Sequence, residues 1–288
     1  MDLLQAVAIA IMQGATELFP VSSLGHAVLL PALLGFTLDE HAATFLPFLV
    51  LLHLGTVGAL LAYFWRDWWQ LAQGLLGLGG DHRRRESLHI LLLMIIATIP
   101  AVVVGGVLEK VGLGRKVFGT PMIAASFLMV NGVILLVGQK LRDRHSERRA
   151  LAEDTHRPIA TLTYTDAAVV GLWQCLALIP GFSRSGATMA GGYIAGLDHE
   201  DAGRFSFLTA TPIILGAAVL EAPKLIKHHD KFSTVAIIAG AVAGVVAFLS
   251  TVVLMRWLRS SEVRRFDPFA IYCVLAGAGA VAWLLLRH

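Results

Sequence analysis

Six apolar runs, about Phe45–Phe64, Leu88–Leu108, Thr120–Gly138, Phe205–Glu221, Ser233–Met255 and Pro268–Leu286, constrain this chain more than any other feature. Each approaches the roughly 20 residues that an α-helix needs to cross the hydrocarbon core of a bilayer. In lipid every backbone N–H and C=O must be paired within the segment, so a run of this length has one outcome, the spanning helix. Composition agrees: 56% of the residues are hydrophobic, 15% are charged and the mean hydropathy is +0.71, where soluble domains carry about a quarter charged residues. The expected fold is an all-α polytopic membrane protein, built as a single membrane domain over residues 1–288.

Two segments break the pattern. Met1–Thr44 and Thr165–Gly203 hold apolar pieces of only about ten to fifteen residues, broken by Pro20 and Pro31 or by Pro180 and its glycines, and neither is long enough to cross twice. Loop charge orients the rest. Lys and Arg after the first, third and fifth runs number 14, against 7 on the other face and its terminus, so the richer face is expected to be cytoplasmic. Run one then starts outside and run four inside. With the N-terminus outside, Met1–Thr44 enters and leaves by the outer face, and Thr165–Gly203 by the inner. Both are expected to be re-entrant hairpins. Each half becomes one hairpin plus three spans in opposite orientation, the inverted-repeat plan whose broken helices meet near the midplane. Repeat one covers about 1–140 and repeat two about 165–288. The polar stretch from Lys140 to Tyr164 is expected as a cytoplasmic surface loop between them. A faint internal echo, Gln13 to Gly25 beside Gln174 to Gly186, fits a duplication.

A net charge of +3 and a pI near 9.0 do not point to nucleic acid, because the basic residues sit in short loops where the positive-inside bias puts them. Cys175 and Cys273 lie in apolar surroundings without a CxxC spacing and read as packing residues. Met1-Asp2 lacks a basic n-region and the first apolar run is short, so no cleavable signal peptide is expected. Neither GxxxxGK[ST] nor a strand-borne GxGxxG occurs, which argues against nucleotide-driven chemistry. Trp65, Trp68 and Trp69 beside Arg66 read as an interfacial belt. His53, His89 and Glu221 fall in or near apolar runs without companions at ligand spacing and read as structural or interfacial; His228-His229 reads as a solvated loop pair.

The chemistry concentrates in the two hairpins. Gln13 and Glu17 stand four apart, on one helix face, before Pro20 ends that helix and Ser22, Ser23, Gly25 and His26 follow. In the second hairpin the helix from Asp166 ends at Pro180, and Ser183, Arg184, Ser185 and Thr188 stand where a new helix begins, its backbone donors favouring anions. An arginine offers a bidentate fork and stays charged in an apolar setting. With hydroxyls and glycine-exposed amides it describes a phosphate cradle, to which Glu17 and His26 add proton transfer or metal binding. Taken singly, such a Glu can be a structural hydrogen-bonder, a His a helix cap, and serines and glycines close-packing devices. Ionisable groups at membrane depth are costly, and it is the constellation that carries the functional reading.

These motifs resemble the undecaprenyl pyrophosphate phosphatase family, membrane enzymes of bacterial cell-wall lipid recycling, over nearly the whole chain. Gln13-Gly-Ala-Thr-Glu17-Leu-Phe-Pro-Val-Ser-Ser-Leu-Gly-His26 resembles its (E/Q)xxxE element and PxSSxGH turn; Pro180-Gly-Phe-Ser-Arg-Ser-Gly-Ala-Thr188 matches its PGxSRSxxT. Phe205 to Pro212 and Pro268 to Tyr272 are similar as well. The resemblance implies hydrolysis of undecaprenyl diphosphate to the monophosphate and inorganic phosphate. It implies that Glu17, Ser23, His26, Ser183, Arg184 and Thr188 line the active site, with Gln13, Ser22 and Ser185 nearby. Arg184, Ser183, Ser185, Thr188 and Ser22 would bind the diphosphate, and Glu17, with Gln13 through its carbonyl oxygen, would hold Mg²⁺ or Ca²⁺ or move a proton. Many members have Glu where this chain has Gln13, so a two-carboxylate account does not transfer. Ser23 is nucleophile or phosphate donor; His26 stays open as nucleophile or general acid. The implied setting is the bacterial cytoplasmic membrane, with the site facing the periplasm. The partners are the polyprenyl diphosphate lipid and the bilayer, a homodimer staying open. A transporter of a polyprenyl-phosphate lipid is the alternative.

Overall fold

The structure, a computed structural model, describes residues 3–34, 45–112, 120–150, 157–226, 234–260 and 266–286. Among them there is no strand. The helices are α1 (Leu3–Thr16), α2 (Ser23–Leu34), α3 (Phe45–Tyr63), α4 (Trp65–Leu75), α5 (Gly80–Val111), α6 (Pro121–Ala150), α7 (Tyr164–Gln174), α8 (Arg184–Ile194), α9 (His199–Ile226), α10 (Thr234–Arg259) and α11 (Asp267–Leu286). Short 3-10 turns cover Ile159–Thr161 and Cys175–Leu178. By length and composition α5, α6, α9, α10 and α11 can each cross a bilayer, and the α3–α4 pair, bent by 74°, makes a sixth if it is taken as one span. The protein is an all-α polytopic membrane protein. Its outward side chains fit lipid rather than water: α5 turns Leu92, Ile95, Ile99, Val102 and Val103 to the exterior, where an aqueous surface would show an apolar patch of unusual size.

Helix α7 ends at Gln174, followed by the 3-10 turn to Leu178, rather than at Pro180 as expected, and three further boundaries differ from expectation for local reasons. Arg83, Arg84 and Arg85 belong to the first turns of α5, not to a loop, and α6 runs on to Ala150 through the first part of the stretch expected as surface loop. Arg, Lys, Glu and Leu are good helix formers, and without Gly or Pro a helix leaving lipid need not stop at the interface. Pro31, expected to break the first hairpin again, lies inside α2; Pro20 alone sits at the turn. Trp65 and Trp69 face outward on α4, with the Arg66 guanidinium 5.4 Å from the Trp65 ring centroid, as an interface helix requires, whereas Trp68 packs inward on the core. Glu221 lies in α9 but its side chain, like residues 228 and 229, is outside the described residues. His89 is structural: its Nε2 is 2.9 Å from the Leu162 carbonyl and its ring lies against Tyr164.

Helices α1 and α2 form one helix–turn–helix hairpin and α7 and α8 another, each arm 11 to 14 residues long. Their packing repeats with the halves exchanged. Helix α1 lies on α10 as α7 lies on α5, α2 touches α11 as α8 touches α6, and α6 and α11 pair with each other. Small residues allow these approaches: a Cβ on Gly14 of α1 would come 2.6 Å from the Ala243 carbonyl oxygen of α10, and one on Gly171 of α7 would come 2.6 Å from that of Ala97 of α5. The second hairpin is tied at its base. Arg157 donates to Asp166 at 2.6 Å and to the Ala195 carbonyl, and Thr163 and Asp166 close a capping box on α7. Burial pushes the Asp166 carboxyl up, but hydrogen bonds from the Thr163 amide and hydroxyl and the Arg157 charge outweigh it and hold the group below the usual carboxylate range.

Candidate active site

The second helix of each hairpin starts in the same way. Ser22 precedes α2 and its Oγ accepts from the Gly25 amide at 3.1 Å; Ser183 precedes α8 and its Oγ accepts from the Gly186 amide at 3.2 Å. Both are N-cap bonds to the third helical residue. Ser22 holds φ at 70°, a left-handed backbone uncommon for a residue with a Cβ. The first helical residues are therefore Ser23 and Arg184, and from opposite halves of the chain they converge on Glu17. Arg184 Nη2 donates to Glu17 Oε1 at 2.9 Å, and Ser23 Oγ donates to Glu17 Oε2 at 2.5 Å. Glu17 follows the last turn of α1, its amide still bonded to the Gln13 carbonyl at 3.0 Å.

Gln13 Nε2 donates to Glu17 Oε2 at 3.1 Å and lies 3.4 Å from His53 Nε2 of α3. His53 Nδ1 is 2.8 Å from the Leu49 carbonyl oxygen. A carbonyl only accepts, so Nδ1 carries the proton and Nε2 the lone pair, and the amide nitrogen of Gln13 fits between two acceptors. Glu17 and Arg184 are nearly buried, their side chains 9% and 15% exposed. Arg184 Nη1 is buried and has no hydrogen-bond partner among the described residues. Beside it opens a cavity of about 340 Å³, walled by Glu17, His53 and Arg184 and by apolar side chains of α3 and α9, among them Leu49, Ile213 and Ala217.

The other expected site residues stand around this cluster rather than in it. His26 Nδ1 is 2.7 Å from the Ser22 carbonyl oxygen and its Nε2 is 2.7 Å from the Tyr272 hydroxyl of α11, with the two rings stacked. Ser183, Ser185 and Thr188 are buried. Ser183 and Ser185 share a bond at 3.0 Å, Ser185 Oγ donates to the Phe19 carbonyl at 3.3 Å, and Thr188 bonds the Arg184 carbonyl and Ser206 Oγ, each at 2.6 Å. These hydroxyls tie α8 to the first hairpin and to α9.

The arrangement is thus one carboxylate flanked by a hydroxyl and a half-free guanidinium, at two facing helix starts, beside an apolar cavity. The profile of the bacitracin resistance protein BacA family matches residues 6–279. The chain belongs to that family. Among similar proteins are the undecaprenyl-diphosphatase of Granulibacter bethesdensis, 55% identical over 99% of this chain and 97% of that protein, and that of Gluconacetobacter diazotrophicus, 52% identical over 100% and 98%. Undecaprenyl-diphosphatase 2 of Burkholderia ambifaria is 45% identical over 100% and 99%. The BacA-family match contains the second hairpin, the first from residue 6 onward, and every side chain of the site.

Three residues of this BacA-family site escape a reading by spacing. His53 was expected to be structural or interfacial, yet it lines the cavity and meets Gln13. Tyr272 meets His26, and Asn131 of α6 bonds both hairpin turns. The available signal was a polar side chain inside an apolar run, which lipid makes expensive. The turns themselves touch at glycine: a Cβ on Gly25 would lie 3.0 Å from Gly181 Cα, and one on Gly181 would lie 2.4 Å from the Ala124 carbonyl oxygen of α6. Gly181 also has φ of 106°, reserved in practice for glycine. Gly181→Ala is expected to cost at least the 1–3 kcal/mol or so of overpacking, read as a lower midpoint in a thermal unfolding assay in detergent.

Proposed function

We propose that this protein hydrolyses undecaprenyl diphosphate to undecaprenyl phosphate and inorganic phosphate, as the names of its relatives state for them. The observation that carries the assignment of the chemistry is the convergence of Ser23 and Arg184 on Glu17, with Arg184 Nη1 unpartnered beside the apolar cavity. The headgroup is bound by Arg184, whose fork suits two phosphate oxygens, and by the starts of α2 and α8, where backbone donors and helix dipoles favour negative charge. The first isoprenyl units lie in the cavity between α3 and α9. Phosphoryl transfer depends mainly on positioning and charge stabilisation, both of which this cluster supplies. Ser23 is the nucleophile. Its hydroxyl already points at Glu17, which takes the proton as the oxygen attacks the terminal phosphorus.

A divalent cation fits the donors in one way. Among the described residues no three His, Cys, Asp or Glu side chains group together, but Mg²⁺ in phosphoryl transfer is commonly held by one or two carboxylates plus substrate oxygens. Glu17 would hold it, joined by the Gln13 carbonyl oxygen once that side-chain amide, whose nitrogen faces Glu17 in the resting site, turns over. Bound there with the diphosphate, it would neutralise charge on the leaving phosphate. The site lies in the bacterial cytoplasmic membrane and opens to the periplasm, a placement supported by the loop charges.

Purified protein in detergent, given a polyprenyl diphosphate, is expected to release inorganic phosphate, to stop on chelation and to recover with Mg²⁺. Detergent removes the two compartments that translocation needs. Well-folded protein that releases no phosphate would overturn the hydrolase assignment, and turnover indifferent to chelator would remove the cation.

A further inference from the structure

We infer that Asn131 is a positioning residue that holds the two hairpin turns together, so that Ser23 and Arg184 meet one diphosphate. It lies in the apolar middle of α6 and is 1% exposed. Its Oδ1 accepts from the Ser183 amide at 3.0 Å and its Nδ2 donates to the Pro20 carbonyl at 3.0 Å, with Cys273 Sγ at 3.4 Å. An amide N–H only donates and a carbonyl only accepts, so the side-chain amide has a single orientation. Both backbone groups belong to turns, where no helix supplies a partner, and lipid supplies none either.

The two bonds sit immediately upstream of the working residues. Ser183 precedes Arg184, and Pro20 lies in the turn between α1 and α2, three residues before Ser23. Helix α6 also seats Gly181 against Ala124 and Leu128. One side chain thus spans the seam between the halves of the chain. If it lets go, each turn keeps its own cap, Ser22 on Gly25 and Ser183 on Gly186, and Ser185 still reaches the Phe19 carbonyl and Glu17 still joins Ser23 to Arg184, but the two turn backbones lose the side chain that bonds both of them. The inference rests on the proposal that these two residues act on one substrate.

The test uses Asn131→Leu and Asn131→Asp beside the wild type, with phosphate-release kinetics and hydrogen exchange of peptides covering residues 17–25 and 179–186. Asn131→Leu is expected to lower kcat about a hundredfold, the scale of a small misplacement of reacting groups, with KM little changed and faster exchange confined to the two turns. A protonated aspartate presents an O–H and a C=O where asparagine presents N–H and C=O. Asn131→Asp activity relative to wild type should therefore rise as pH falls; the Cys273 thiol is the titratable group bonded to this position. A purely space-filling role would give no such rise, and should the leucine variant not fold, this profile alone carries the test. Wild-type kcat and exchange in Asn131→Leu, or a flat pH ratio in Asn131→Asp, would overturn the inference. Absence of phosphate release from wild type would instead sink the hydrolase assignment, leaving the exchange pattern to report on Asn131 independently.

Discussion

Arg184→Lys is expected to lose turnover by about a hundred- to a thousandfold, the usual cost of removing one preorganised donor from a developing charge. Lysine keeps the positive charge beside Glu17, so the buried carboxylate stays paired and the fold should survive. What it lacks is the second arm. In the resting site Nη2 holds Glu17 Oε1 while Nη1 is buried with no hydrogen-bond partner among the described residues. A diphosphate entering from the cavity can take Nη1 without first breaking the ion pair, whereas a single ammonium must leave the carboxylate to reach the phosphate. The check is kcat and KM for phosphate release at matched thermal stability. Near-normal kcat in a folded Arg184→Lys protein would remove the guanidinium fork from the mechanism. Arg184→Ala is a poorer probe, because it strands Glu17 as an uncompensated buried charge and destabilises on that account.

The parts of this molecule that local chemistry decides were legible in the sequence, and those decided by long-range packing were not. Apolar length gave the spans, and Pro20 and Pro180 gave the interruptions in the two short segments. Polar residues following each interruption marked where Ser23 and Arg184 start new helices. The sequence reading had no access to the meeting of those two starts at one carboxylate, which is a long-range contact between halves of the chain, with α6 packed against Gly181 and Asn131 bonded to both turns. Nor could residue type separate hydroxyls facing a cavity from hydroxyls closing helix caps. Ser183 and Thr188 have the composition of a phosphate cradle, yet their hydroxyls are buried in bonds to α8, to Ser185 and to Ser206. His53 was passed over because its companion, Gln13, is distant in sequence and not a ligand type that spacing rules seek.

Ser23→Ala should be the most damaging of the single changes, by about a thousandfold or more, as for loss of a nucleophile whose partners act as a unit. The same non-additivity makes a double change with Glu17→Gln scarcely worse than Ser23→Ala alone. The reason lies in the 2.5 Å bond from Ser23 Oγ to Glu17 Oε2. In the proposed reaction, as Oγ forms its bond to the terminal phosphorus, the bond from that phosphorus to the bridging oxygen breaks, undecaprenyl phosphate leaves, and the hydroxyl proton passes to Glu17. Water then releases phosphate from the serine. His26 is less well placed for attack, since its Nε2 is engaged by the Tyr272 hydroxyl. The two candidates differ in the stability of what they form: phosphoserine survives acid and phosphohistidine does not. With substrate labelled at the terminal phosphate, an acid quench within the first turnover should trap label on the peptide containing Ser23, and none in Ser23→Ala. Label lost in acid but retained in base would transfer the role to His26, and a Ser23→Ala protein that still turns over rapidly without trapped label would give it to water.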